Sequence, residues 1–187
     1  MDQSLEKQKE VQIPIRRNMP LVVSFSTLEQ IADAIFTLCL SWFVLERTGS
    51  AFITSTIIAI RYIVNVFAGP LIGVFVDRAH PKKAMVKSYI VLAIIGFILI
   101  FFYLVLEDFI IVSIMAMVVL NDIAQTFIIP SRRRILPDLV GTERIAVVNG
   151  FIASAGQGGA LFGKAIGGLL LSVIGIIGVL LTHSVIF

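Results

Sequence analysis

The sequence predicts an all-α integral membrane protein of six transmembrane helices, the last of them truncated. Three observations carry that prediction. Apolar residues make up 58% of the chain and charged ones 14%, with a mean hydropathy of +1.00, which is more apolar surface than a soluble fold of this length hides. Those apolar residues fall in blocks of twenty or more, the length that crosses a hydrocarbon layer of about 30 Å at about 1.5 Å per residue. The basic residues gather between alternate blocks, where insertion holds them on the cytoplasmic side.

Taken in order, residues 1–19 read as a cytoplasmic tail. The first 17 carry four basic and three acidic side chains, with no short apolar core and cleavage site, so no removable signal peptide is expected. Spanning helices follow at about 20–45, 51–76, 84–106, 109–129 and 146–172, and a sixth occupies 174–187. From Ile174 to Phe187 there are 14 residues, fewer than the roughly 20 a crossing needs. The chain is therefore expected to stop inside a helix, as a fragment or with the helix completed by something else.

Lys7, Lys9, Arg16 and Arg17 lie in the tail, Arg78, Lys82, Lys83 and Lys87 after helix two, and Arg132, Arg133, Arg134 and Arg144 after helix four. Twelve of the 15 basic residues thus fall on one side, which predicts a multi-pass protein of the cell membrane with a cytoplasmic N-terminus. Only Arg47 falls in the opposite loops. The net charge of +3 reflects this topology, and the "SRRR" cluster needs no nucleic-acid partner to explain it. Cys39 lies inside an apolar block and reads as a packing residue. No cofactor, metal or enzymatic centre is expected: there is no glycine-rich phosphate loop, and His80 and His183 stand apart from any nucleophile or ligand set.

Ionisable groups inside a bilayer cost at least about 2.5–3.5 kcal/mol each, so they face protein or water and often mark a pathway. Helix one carries Ser26, Glu29, Asp33, Thr37 and Ser41 at steps of three and four, one polar face. Helix two adds Arg61 and Asn65, and helix four adds Asn121, Asp122, Gln125 and Thr126. Counted from the expected cytoplasmic ends, Asp33 and Arg61 lie about 20 and 23 Å deep, Glu29 and Asp122 about 12–14 Å. Asp33 is therefore expected beside Arg61. Glu29 and Asp122 are expected to share a neighbourhood with one carboxyl protonated, since two acids in a poorly solvated site do not both ionise cheaply. Glu29, Asp33, Arg61, Asn65, Asn121, Asp122 and Gln125 form the candidate proton-coupling or cavity set. The alternative is interhelical glue.

Helix three is apolar beyond Lys87, Ser88 and Tyr89 and is expected to face lipid. Helix five holds seven glycines between Gly150 and Gly168, small residues that let helix backbones approach in lipid. Lys164 interrupts them about 27 Å from the helix start, where its ammonium is expected to snorkel toward the outer interface, with a substrate role as the alternative.

"GVFVDRAHPKK", through Gly73, Asp77, Arg78, Lys82 and Lys83, resembles the signature between helices two and three of the major facilitator superfamily. The helix-five set Gly150, Gly159, Gly163, Gly167 and Gly168 is similar to that family's antiporter motif, with Lys164 where the motif has proline. "PSRRRILPDLVGTERIAVVNG" is similar to the stretch between helices four and five of the macrolide-efflux and drug-exporter branch, matching at Pro130, Arg132, Leu136, Pro137, Asp138, Leu139, Glu143, Arg144 and Asn149. "VLERTGS" fits the same branch.

The resemblance implies the N-terminal half of a 12-helix transporter, built as a 3+3 inverted repeat, with helices one and four lining a cavity. It also implies a cytoplasmic gating latch at Asp77 and Arg78, against the alternative of a positive-charge anchor alone. The function implied is proton-coupled secondary active efflux of small hydrophobic or amphipathic compounds by alternating access. The partners are the lipid bilayer, a small-molecule substrate, protons, and a missing C-terminal half or second copy. The competing reading is a truncated half that acts as a non-transporting remnant or partner subunit.

Overall fold

The computed structural model describes residues 15–78, 80–105 and 109–187, with side chains described from Asn18 onward except at Asp77 and Arg78. These residues form α1 (Ile15–Thr48), α2 (Ala51–Arg78), α3 (Pro81–Val105), α4 (Ile110–Val140), a 3₁₀ turn (Thr142–Arg144) and α5 (Ile145–Ile186). All five α-helices are long and apolar enough to cross a membrane. Lipid offers no partner to a backbone N–H or C=O, so such stretches close their own hydrogen bonds even where Ile and Val lower helix propensity.

The short connections are set by local chemistry. Gly49 ends α1 at φ 61°, a left-handed conformation that glycine adopts freely, and its N–H donates to the Leu45 carbonyl at 2.8 Å. Ser50 then accepts the Ile53 N–H on its hydroxyl at 3.3 Å, capping α2. Pro81 opens α3, where its missing N–H costs nothing.

Two elements differ from the sequence expectation. The stretches expected as a fifth and a sixth helix are one element, α5, in which two helical segments meet at a kink at Gly175 (φ 64°, ψ −179°). Up to Gly167, α5 advances along α1 in step, with Gly156 opposite Gln30, Gly163 opposite Ile31 and Gly167 opposite Leu38. Beyond the kink it returns: Val179 packs with Cys39 and Ile35, His183 against Phe36, and Phe187 against Tyr89. A single glycine, in a backbone region that residues with a Cβ avoid, replaces a loop. Gly175→Ala is therefore expected to cost about 1–3 kcal/mol, seen as a lower thermal midpoint in detergent. An unchanged midpoint would mean the kink does not need glycine.

The other difference is α4, which continues to Val140 where the sequence predicts a loop after residue 129. Pro130 and Pro137 both lie inside it. A proline costs a free helix about 3 kcal/mol, and contacts with α1, α2 and α5 offset that. The Arg134 Nη1 donates to the Val76 carbonyl (2.6 Å), and Asn18 Nδ2 donates to the Leu139 carbonyl (2.9 Å). Leu136 and Val140 are buried with Val148, packed by Met19, Val22 and Ile152. At the other end of the chain, α1 begins at Ile15, inside the expected tail.

In the bundle, α1 lies along α5, and α4 lies between α2 and α3. The core is an apolar cluster including Phe36, Leu40, Val44, Leu99, Ile114 and Leu180. The α1–α5 contact is a glycine seam. A Cβ added at Gly159 would stand 3.1 Å from the Thr27 carbonyl oxygen, at Gly163 2.7 Å from the Ile31 carbonyl oxygen, and at Gly167 2.9 Å from Leu38 Cδ2. Buried Cys39 donates its thiol to the Gly167 carbonyl at 3.3 Å. Gly150 and Gly168, placed in the same seam by the sequence, meet nothing within 4 Å. The seam runs 156, 159, 163, 167, and a step of one or six residues turns a side chain off that face.

The expected lipid-facing helix, α3, presents Ile90, Ile94, Phe97 and Phe101 outward, while Ser88, Leu92, Ile95, Gly96 and Leu99 are buried. Gly96 lies so close to Ser184 that an added Cβ would overlap its hydroxyl. The return segment after Gly175 thus packs tightly on α3.

Candidate functional site: two charge clusters across the bundle

Arg61 enters from α2 and is held on three sides. Its Nε donates to both Asp122 carboxylate oxygens, at 3.1 and 3.0 Å, and its Nη2 donates to Asp122 Oδ1 and to Asp33 Oδ1, each at 3.0 Å. The Nη1 donates to the Thr37 hydroxyl. Gln125 supports the arrangement from α4, donating to Asp33 Oδ1 at 2.8 Å and to Asn121 Oδ1 at 3.1 Å. Two carboxylates from α1 and α4 therefore share one guanidinium from α2. Planar, bidentate recognition of this kind is what arginine does better than lysine.

The two acids are not equivalent. The Asp122 side chain is 3% exposed and Asp33 is 26% exposed, with Arg61 between them at 17%. Asp33 is the wetter partner, held by one guanidinium contact against three for Asp122. Asn121 is buried, and its Nδ2 finds no acceptor among the described residues. An unpaired buried donor of this type is ordinarily met by an ordered water. Asn65 does not join the cluster: it is exposed and its Nδ2 donates back to the Arg61 carbonyl at 2.9 Å.

The second cluster surrounds Glu29. Arg132 Nη2 donates to Glu29 Oε2 at 2.5 Å, the Tyr89 hydroxyl donates to Glu29 Oε1, and Arg132 Nη1 donates to the Ser26 hydroxyl. Glu29 does not share a site with Asp122, against the expectation from depth counting. The reason is geometric. With α4 running to Val140, Asp122 lies 18 residues, about 27 Å, from the helix end, level with Asp33 in α1 and Arg61 in α2 when these are counted from Ile15 and Arg78.

Arg132, Tyr89, Ser26 and Thr37 complete the two clusters. Arg132 reads as a topological charge only when α4 is ended before it. Seven residues, or about two turns, separate it from Gln125, so a continuous helix puts both on one face. Tyr89 carries no signal in the sequence beyond being polar in an apolar helix.

The remaining candidates lie apart. Lys164 is exposed, as are Lys82 and Lys83. Gly73 meets nothing within 4 Å, so no helix of this bundle uses the space it leaves. The side chains of Asp77 and Arg78 lie outside the described residues.

A multi-pass helical membrane protein whose interior carboxylates pair with arginines from other helices is the class that these features define. Residues 23–187 match the family model of the Major Facilitator Superfamily, and the chain belongs to that family. It is similar to macrolide efflux protein A of Streptococcus pyogenes, at 28% identity over 145 residues, covering 76% of this chain and 35% of that protein. The same figures hold for macrolide efflux protein A of S. pyogenes serotype M6. The chain thus spans about a third of the curated relatives it matches. No solved structure matches it.

Proposed function

We propose that the chain is the N-terminal half of a secondary active transporter that exports small hydrophobic or amphipathic compounds by alternating access, driven by protons. The observation that carries this reading is the pair of carboxylates on one guanidinium. With both acids ionised the cluster holds one negative charge in excess, a costly state inside a bundle in lipid, and a single proton makes it neutral. Asp33, the wetter acid with the weaker hold on Arg61, is where that proton arrives. Neutral Asp33 gives up its ion pair with Nη2, which keeps its bond to Asp122, and the hold of α2 on α1 through Arg61 is weakened.

The packing supports the inverted repeat. Exchanging α1 with α4, and α2 with the first part of α5, turns the α1–α5 contact into the α4–α2 contact. In the same exchange, α3 against α4 becomes the return segment against α1, which Phe36 and His183 represent. On this reading that segment is the sixth helix. The outward apolar surface of α2 and α5, with open space at Gly73, Gly150 and Gly168, faces the bilayer and a second half or second copy. The N-terminus and the Arg132 end of the bundle face the cytoplasm, and Asp77 and Arg78 form the latch on that side.

The test is efflux of cationic and neutral dyes from cells carrying the complete gene, with and without a proton gradient. Wild-type protein is expected to lower dye accumulation only with the gradient intact. Asp33→Asn is expected to reduce that gradient-driven efflux at least about a hundredfold, the lower end of the range for a group acting directly in proton transfer. Undiminished efflux by Asp33→Asn would remove its proton-carrying role.

A further inference from the structure

The outside of the bundle carries a groove that neither charge cluster uses. It has a volume of about 490 Å³ and runs between the start of α3 and the middle of α4. On one side His80, Lys83, Lys87 and Val91 follow at steps of three, four and four, which stacks them along one face. His80 belongs to that first turn, since the Ala84 N–H donates to its carbonyl at 3.0 Å. Opposite, α4 supplies Leu120, Ile123 and Phe127, also at steps of three and four, as an apolar wall. The groove is therefore basic at the start of α3 and apolar further along, with eight residues, about 12 Å of helix, from Lys83 to Val91.

The charge of the groove has one sign. None of its lining residues is acidic, and the side chains of His80, Lys83 and Lys87 make no hydrogen bond or ion pair among the described residues. Two lysines four apart on one helix face repel each other, and an anion between them relieves that. Their stems are apolar and their heads reach for the membrane edge, so the rim suits a charged head and the floor a hydrocarbon body. Val91 and Leu120 are 43% and 47% exposed, which leaves the groove open beside Ile90 and Ile94, where α3 presents its apolar face outward. A free phosphate would meet the basic end and leave the apolar wall bare. An uncharged lipid would cover the wall and leave the lysines unmet.

We propose that this groove binds one anionic phospholipid, its headgroup held by Lys83, Lys87 and the His80 ring and an acyl chain lying along Val91, Leu120 and Ile123. Basic groups in a cleft between membrane helices hold anionic headgroups in this way. Which leaflet supplies the lipid rests on the orientation proposed above. The binding does not, and it needs neither transport nor a gradient to be measured.

The test is native mass spectrometry of the purified 187-residue chain in detergent, titrated with phosphatidylglycerol and, separately, with phosphatidylcholine of the same acyl chains. A saturable phosphatidylglycerol adduct is expected, with a dissociation constant at least about tenfold below that for phosphatidylcholine. Lys83→Gln and Lys87→Gln, both at exposed positions, are each expected to weaken phosphatidylglycerol about fivefold and to leave phosphatidylcholine unchanged. Lys82→Gln is the control: it is exposed too, but it lies outside the groove and is expected to change neither lipid. Glycerol 3-phosphate, the head without the apolar body, is expected not to displace the lipid even in about a hundredfold excess. Equal affinity for the two lipids, or unaltered phosphatidylglycerol binding in Lys83→Gln and Lys87→Gln, would overturn the proposal. So would an equal loss in Lys82→Gln, which would trace the preference to net charge, or displacement by glycerol 3-phosphate, which would leave a phosphate site without a lipid.

Discussion

Arg61→Gln is expected to lower stability by about 3–5 kcal/mol, the cost of stranding buried charge when one partner of an ion pair is removed. Asp122 would suffer most: its side chain is 3% exposed and draws three of its contacts from that guanidinium. Glutamine reaches less far and offers two donors on one nitrogen, so it does not serve both acids. The readout is the thermal midpoint of the purified protein in detergent. The double variant Arg61→Gln with Asp122→Asn is expected to recover most of the loss, because the deeply buried carboxylate is gone and the charge that remains, on Asp33, is the more exposed one. If Arg61→Gln alone melted like the wild type, the cluster would be solvated more fully than its exposure indicates.

A second large effect is expected at Gly163. Its missing Cβ would stand 2.7 Å from the Ile31 carbonyl oxygen and 3.2 Å from Ile31 Cα, so backbone faces backbone and no flexible side-chain end is available to yield. Gly163→Ala is expected to cost about 1–3 kcal/mol, the range for overpacking a tight contact, and Gly163→Leu to part α1 from α5 and leave little folded protein. Gly168→Ala is the control. It lies in the same helix with open space at its Cβ, and alanine's better helix propensity should leave stability unchanged or higher by up to about 1 kcal/mol. Size-exclusion profiles and thermal midpoints of the three variants would separate a clash at the seam from a general loss of glycine. Equal behaviour of Gly163→Ala and Gly168→Ala would mean that the seam is not tight.

Much of this arrangement follows from spacing. The steps from Ser26 to Ser41 put a polar face on α1, and Asp33 and Arg61 come out at similar depth because the expected ends of both helices on that side fall within five residues of Ile15 and Arg78. The pairing of Glu29 with Asp122 fails through one boundary. Pro130, followed by three arginines, resembles the start of a loop, and local propensity says nothing about the packing of Leu136, Val140 and Val148 or the bonds from Asn18 and Arg134 that keep α4 helical. Ending α4 early moves Asp122 toward the Arg132 end of the bundle by about three turns and hides Arg132 as a partner for Glu29. The glycine seam is legible as a spacing, but which glycines belong to it depends on the rotation of α5 against α1. Gly156 is in the seam, and Gly150 and Gly168 are outside it. The reversal at Gly175 looks like a helix boundary without a loop, which one residue with positive φ supplies.

In the proposed mechanism a proton is exchanged at Asp33 when the shared hold on Arg61 changes. The most direct measurement follows pH in a weakly buffered solution of the purified protein as a transported dye is added. Wild-type protein is expected to release a proton on binding, and Asp33→Asn to bind the dye without release. Equal proton release from the Asp33→Asn variant, or dye binding by the wild type with no change in pH, would contradict it.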